Sequence, residues 1–164
     1  MIYRPKRIKK THIILPLVLI IGGIICLGFS YADFVFMPSI LQIIGFICFT
    51  VAIILIGRFS VIEYEYEISE ENFRVTKIQG KKYVDVAFLS LDCLSAVHPK
   101  TKGFSIKDKI PQKIRLIQNC SVNIFPEAAF YLVFDTEDGI FVLQVELCEE
   151  MYFELERILR DKKQ

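Results

Sequence analysis

The sequence predicts an α+β membrane protein: an N-terminal transmembrane helical hairpin, then a small antiparallel β-sandwich or barrel closed by a C-terminal helix. Three observations carry this expectation. Two runs, Ile13 to Tyr31 and Ile40 to Gly57, contain no charged side chain, and each approaches the ~20 residues a helix needs to cross a bilayer. Directly after the second run, RFSVIEYEYEIS interleaves Val61, Tyr64, Tyr66 and Ile68 with Glu63, Glu65 and Glu67, the period of a half-covered strand. The chain ends on Leu147, Met151, Leu155, Ile158 and Leu159, spaced by three and four as on an amphipathic helix.

Composition agrees with this division. A hydrophobic content of 53% and a mean hydropathy of +0.43 are too apolar for an ordinary soluble domain and too charged for a wholly embedded one. The net charge of +1 hides an asymmetry. Arg4, Lys6, Arg7, Lys9 and Lys10 precede the first run, whereas residues 58–164 hold 15 basic and 18 acidic side chains, a net of −3. The expected organisation is a basic N-terminus over 1–12, a hairpin over 13–57 with helices 13–31 and 40–57, and a domain over 58–164 with its helix at about 147–161.

The connection ADFVFMPS carries Asp33 as its one charge and Pro38 as a break, so it is a turn between antiparallel helices. Basic residues near membrane ends stay in the cytoplasm. Five before the first helix, none in the connection and Arg58 after the second predict a multi-pass cell-membrane protein with both termini cytoplasmic. Pro16 is expected in the first turn of helix one, where its missing N–H costs little. Gly22, Cys26 and Ser30 form a stripe of small residues on which Gly45 and Ala52 can pack. A cleaved signal peptide is the competing reading, since KRIKK, an apolar run and SYA imitate its three regions. The run of about 19 residues exceeds the ~7–15 of a signal core, which favours an uncleaved helix.

Seven strands are expected in the domain, each rich in β-branched or aromatic residues and bounded by turn residues. They cover Val61 to Ile68, Phe73 to Gln79, Tyr83 to Phe88, Leu91 to Val97, Lys113 to Ile124, Ala129 to Asp135 and Ile140 to Val145. Gly80 with Lys81 makes a tight turn, and the Gly139 of TEDG suits the left-handed position of a hairpin loop. The closing helix has an acidic first turn and a basic end, in agreement with its dipole.

Seven short antiparallel strands and one terminal helix follow the order of a pleckstrin-homology (PH)-like domain. With the basic N-terminus, two closely spaced apolar helices, EYEYEIS, KIQGKK and CEEMYFELERIL, the whole chain resembles bacterial membrane-anchored PH-like proteins of uncharacterised function. The resemblance implies a PH-like cytoplasmic domain and brings no catalytic or binding residues with it.

No motif specifies an enzyme. His12 stands at the membrane boundary. His98 lies five residues from Cys93, so on an alternating strand the two point to opposite faces. A Gly-rich phosphate loop and an H-E-x-x-H pair are both absent. Cys26, Cys48, Cys93, Cys120 and Cys148 are scattered singly, without the C-x-x-C spacing of zinc or redox sites. A non-enzymatic protein without cofactor or metal is expected. Nucleic acid is disfavoured as a partner by the acidic domain.

The segment HPKTKGFSIKDKIPQKIRL sets Lys100, Lys102, Lys107, Lys109, Lys113 and Arg115 against Asp108 alone. These six are the candidate contacts to anionic lipid headgroups, each cation near such a surface contributing ~1 kcal/mol. The plainer alternative is a solvated loop whose charge protects an edge strand. Two functions remain open. One is a membrane-tethered scaffold or interaction module whose domain meets an unidentified protein or anionic lipid. The other is an accessory subunit of a larger membrane complex, contacting its partners through the hairpin.

Overall fold

The structure, a computed structural model, describes residues 1–7, 9–32, 37–101, 105–106, 110, 113–126 and 128–162, with the side chains of 9–12 left aside. The chain divides into two compact units, Met1–Lys6 with Glu63–Gln164, and Arg7–Ile62. The basic N-terminus, read from the sequence as one segment over 1–12, is therefore split between them. Its first residues form β1 (Ile2–Tyr3), which pairs antiparallel with β2 (Ile62–Ile68), Ile2 opposite Glu67 and Tyr3 opposite Tyr66.

The Arg7–Ile62 unit is a pair of apolar helices, α1 (Lys9–Phe29) and α2 (Pro38–Leu55), the second continued by a π-helical turn over Ile56–Ser60. Pro38 occupies the start of α2, where no N–H is needed. Pro16, in contrast, is interior to α1, because the helix begins at Lys9, four residues before the apolar run. Its ring leaves the residue-12 carbonyl without a helical donor. The continuous helix Pro38–Ser60 has 23 residues and a hydropathy of 2.7, long and apolar enough to cross a membrane, whereas the apolar part of α1, Ile13–Phe29, is shorter.

The helices meet through Gly23 and Gly45. A Cβ on Gly45 would lie 2.9 Å from Leu27 Cγ and 3.1 Å from the Gly23 carbonyl oxygen, while one on Gly22 would meet nothing within 4 Å. The expected stripe is thus displaced by one residue at its glycine, although Gly45 and Ala52 are buried as expected. Gly45→Leu is expected to loosen the pair by ~1–3 kcal/mol, the range of overpacked cores, with Gly22→Leu close to neutral. The thermal midpoints of the two variants in detergent check this.

In the other unit, one four-stranded sheet has the order β1-β2-β3-β4, with β3 at Asn72–Gln79 and β4 at Lys82–Ser90. A 3₁₀ turn, Leu91–Cys93, leads to β5 (Leu94–Pro99). The second sheet has the order β5-β7-β8-β6, with β6 at Ile114–Asn119, β7 at Ala129–Thr136 and β8 at Gly139–Glu146. β6 runs parallel to β8, so the second sheet is mixed, against the all-antiparallel expectation. β6 stands at the edge opposite β5 and is joined to β8 by no hairpin turn, because β7 lies between them in sequence, so a parallel pairing is open to it. The expected strand over Lys113 to Ile124 stops at Asn119, and Cys120 to Asn123 continue as buried non-strand chain.

Gly80 and Gly139 take the left-handed conformation at their hairpin turns, with φ of 60° and 118°. The core runs from Tyr66 through Phe73 to Phe134, whose rings stack at 6.5 and 6.1 Å. Leu132, Leu143 and Val145 are buried with them. Phe130, sharing the parity of Leu132 and Phe134 along β7, stacks on Tyr152 at 4.9 Å. Tyr152 belongs to α3 (Glu149–Asp161), whose Met151 and Leu155 are fully buried. The opposite parity is covered too: Val133, Ile140 and Val142 pack with Ile106. The basic segment after β5 is thus anchored by Ile106, with Ile110 partly buried against the same cluster, and is not wholly solvated.

Candidate functional site

Of the six basic candidates, Lys102, Lys107 and Lys109 lie outside the described residues. The other three do not converge. Lys100 follows β5 and donates to Gln144 Oε1 at 3.1 Å, with its ammonium 5.9 Å from the centre of the Tyr131 ring. Arg115, on β6, pairs with Asp138 Oδ1 at 3.1 Å, donates to the Asp138 carbonyl at 2.9 Å and lies over Phe141. Lys113 is exposed. Gln144 stands four residues along β8 from Ile140, the partner of Ile114, so the Lys100 and Arg115 anchors are separated by ~13 Å of strand. Both charges are held against the domain's own surface, and the exposed Arg115 pair contributes little stability.

A polar cluster missed in the sequence lies where β8 ends. Glu146 and Asn123 are both buried. The Asn123 backbone N–H donates to Glu146 Oε1 at 2.6 Å, and its Nδ2 donates to Oε2 at 2.6 Å and to the Lys6 carbonyl at 3.0 Å. Beside them Gln144 Nε2 donates to Ser121 Oγ at 2.9 Å. The Tyr66 hydroxyl donates to the Cys120 carbonyl at 2.9 Å and accepts the Glu146 N–H at 3.3 Å. Burial, opposed by the Glu146 hydrogen bond, pushes the Tyr66 phenol well above its ordinary value. Tyr3 is also raised, by burial first and then by Cys148 and Glu146 nearby. These hydrogen bonds fasten Lys6 and the 120–123 segment to β8, so the cluster acts as a clamp.

One accessible feature of the domain is an open groove of about 290 Å³ between β5 and α3, lined by Ser95, Ala96, Val97, His98, Glu156, Leu159 and Arg160. β5 is the edge strand of its sheet and pairs with β7 alone among the described residues. The wall on α3 is fixed in two ways. The Tyr152 hydroxyl donates to Glu156, which also pairs with Arg160 at 3.3 Å, and the Lys162 ammonium donates to the carbonyls of Leu91 and Leu94 at the start of β5. An edge strand facing a helix across a groove suits an extended peptide, which adds main-chain hydrogen bonds to the strand while its alternate side chains meet the helix.

Among the described residues no three His, Cys, Asp or Glu side chains stand where they could hold a metal ion. Cys93 is in the 3₁₀ turn, apart from the groove that His98 lines. Compared with known proteins, the chain matches no family model, no curated protein and no solved structure.

Proposed function

We propose that this protein is a membrane-tethered, non-enzymatic interaction module, whose helix pair holds a PH-like domain at the cytoplasmic face and whose β5–α3 groove receives an extended segment of a partner protein. The observation that carries the reading is the outward surface of the helix pair. Ile13, Val18 and Ile24 on α1 and Phe46, Ile53 and Ile54 on α2 are all more than half exposed. An apolar surface of this extent on both helices is unfavourable in water and favourable in lipid.

Chain connectivity supports equal sidedness independently of the charge rule. Residues 1–6 and 63–164 share one compact unit, so the helix pair must leave that unit and return to it. The basic residues at 4–10 and Arg58 support the cytoplasm as that side. The two sheets and closing helix support the PH-like description, with the parallel β6–β8 pair as its departure.

A cysteine-free variant with one cysteine restored tests the membrane reading. In intact cells a cysteine at Asp33 is expected to react with an impermeant maleimide, whereas one at the exposed Glu137 is expected to react only after permeabilisation. The reverse pattern, or recovery of the protein in the soluble fraction, rejects the topology. Replacing both helices with an unrelated anchor separates the two modes of interaction. Partners retained by the domain support the groove, and partners lost with the helices support the accessory-subunit reading.

A further inference from the structure

We infer that the helix pair carries a specific site for one anionic phospholipid, at the end where α1 begins and α2 finishes. The inference rests on the membrane reading and deepens it. An open groove of about 260 Å³ is lined by Ile13, Pro16, Leu17 and Ile20 of α1 and by Ile56 and Ser60 of the π-helical turn. The four α1 residues follow the i, i+3, i+4, i+7 spacing of one helix face, so the groove runs for ~10 Å along α1. Its walls are almost wholly aliphatic, with Ser60 as the polar residue at one end.

The polar end is where positive charge collects. Arg7 donates to the Ser60 carbonyl at 2.6 Å and to the Ile62 carbonyl at 3.1 Å, and so supplies donors to carbonyls at the end of the last helical turn and just beyond it. Its guanidinium is thereby fixed at the residue that closes the groove. Arg58 lies on the same turn, its guanidinium 5.1 Å from the centre of the Phe59 ring. Segments 7–12 and 56–62 together carry Arg7, Lys9, Lys10 and Arg58 and no Asp or Glu. Because α1 starts and α2 ends here, the two helix dipoles oppose each other, and the side chains set the sign of the field. An aliphatic channel that opens beside arginines matches a lipid with an acyl chain and a phosphate headgroup. The π-helical turn, a form that recurs at functional sites, carries both Arg58 and the groove residues Ile56 and Ser60.

The test uses the full-length protein in nanodiscs and in detergent, with phosphatidylglycerol and phosphatidylcholine as the two probe lipids. After partial delipidation, native mass spectrometry is expected to find phosphatidylglycerol retained over phosphatidylcholine. Arg58→Gln, which keeps both Arg7 hydrogen bonds, is expected to reduce that retention about fivefold, the ratio equivalent to ~1 kcal/mol per cation. Leu17→Trp fills the channel without changing any charge and is expected to abolish the preference. Ile20→Trp serves in its place if that variant misfolds. Equal retention of the two lipids, wild-type retention by the channel-filled variant, or displacement of the lipid by inorganic phosphate overturns the site. If those results come with a protein that still needs detergent, the membrane reading survives. A protein that is monodisperse in water without detergent or lipid removes both.

Discussion

Met151→Asp is expected to unfold the β domain at temperatures where the wild type is fully folded. Met151 is completely buried on α3, one turn from the equally buried Leu155. An aspartate there would be a charge without a partner among apolar side chains, at a cost of several kcal/mol. A domain of this size has ~5–15 kcal/mol in total, so the loss is a large share of it. Glu154→Ala is the matched control on the same helix. Its partner Arg157, at 2.5 Å, is mostly exposed, and such a pair contributes at most ~0.5 kcal/mol. Denaturant midpoints of the full-length protein in detergent compare the two. Equal midpoints for the Asp and Ala variants would remove α3 from the core.

Asn123→Leu is expected to have the next largest effect, ~3 kcal/mol, through the group it leaves behind. The substitution removes the Nδ2 donor from Glu146 Oε2 and from the Lys6 carbonyl, and a buried carboxylate deprived of a donor costs more than the lost bond is worth. Glu146→Gln in the same background is expected to recover part of the loss, since a neutral amide is cheaper to leave underbonded. A double-mutant cycle in chemical denaturation measures this coupling. Additive losses would show that the two side chains are independent and that the clamp is not a unit.

What the sequence allowed one to read follows the range of the interactions involved. β2 is visible because alternation is a local property, and α3 because its apolar positions recur within a turn. Gly80 and Gly139 mark their hairpins for the same reason. Three features depend on distant partners and carry no local sign. β1 has only two residues inside a basic stretch and becomes a strand by pairing with Tyr66 and Glu67. The parallel direction of β6 belongs to its pairing with the distant β8, not to the composition of β6. Asn123 and Glu146 are 23 residues apart, and Lys6 is 117 from Asn123, so neither hydrogen bond leaves a pattern. Cys120 to Asn123 were read as the end of the Lys113 to Ile124 strand, because nothing local marks Asn119 as the point where the chain leaves the ladder. The basic segment misled in another way, because charge indicates exposure, whereas Ile106 within it supplies a core contact. The β5–α3 groove was not legible, since it depends on which strand ends at a sheet edge.

The pairing of β1 with β2 also bears on how the protein is made. During synthesis Ile2 and Tyr3 emerge before both apolar helices, and their partners Tyr66 and Glu67 emerge only after them. The contact spans more than sixty residues, and closing it is slow compared with forming a helix or a hairpin. Until it closes, β2 presents an open edge able to capture another strand. Under the topology proposed above, a chain in which only one helix inserts would leave β1 and β2 on opposite sides of the bilayer. That chain could never complete its first sheet or form the Lys6–Asn123 bond, and it would remain marked for aggregation or proteolysis. Under that topology the short N-terminal strand would make completion of the first sheet conditional on insertion of both helices, a form of quality control written into the order of the chain.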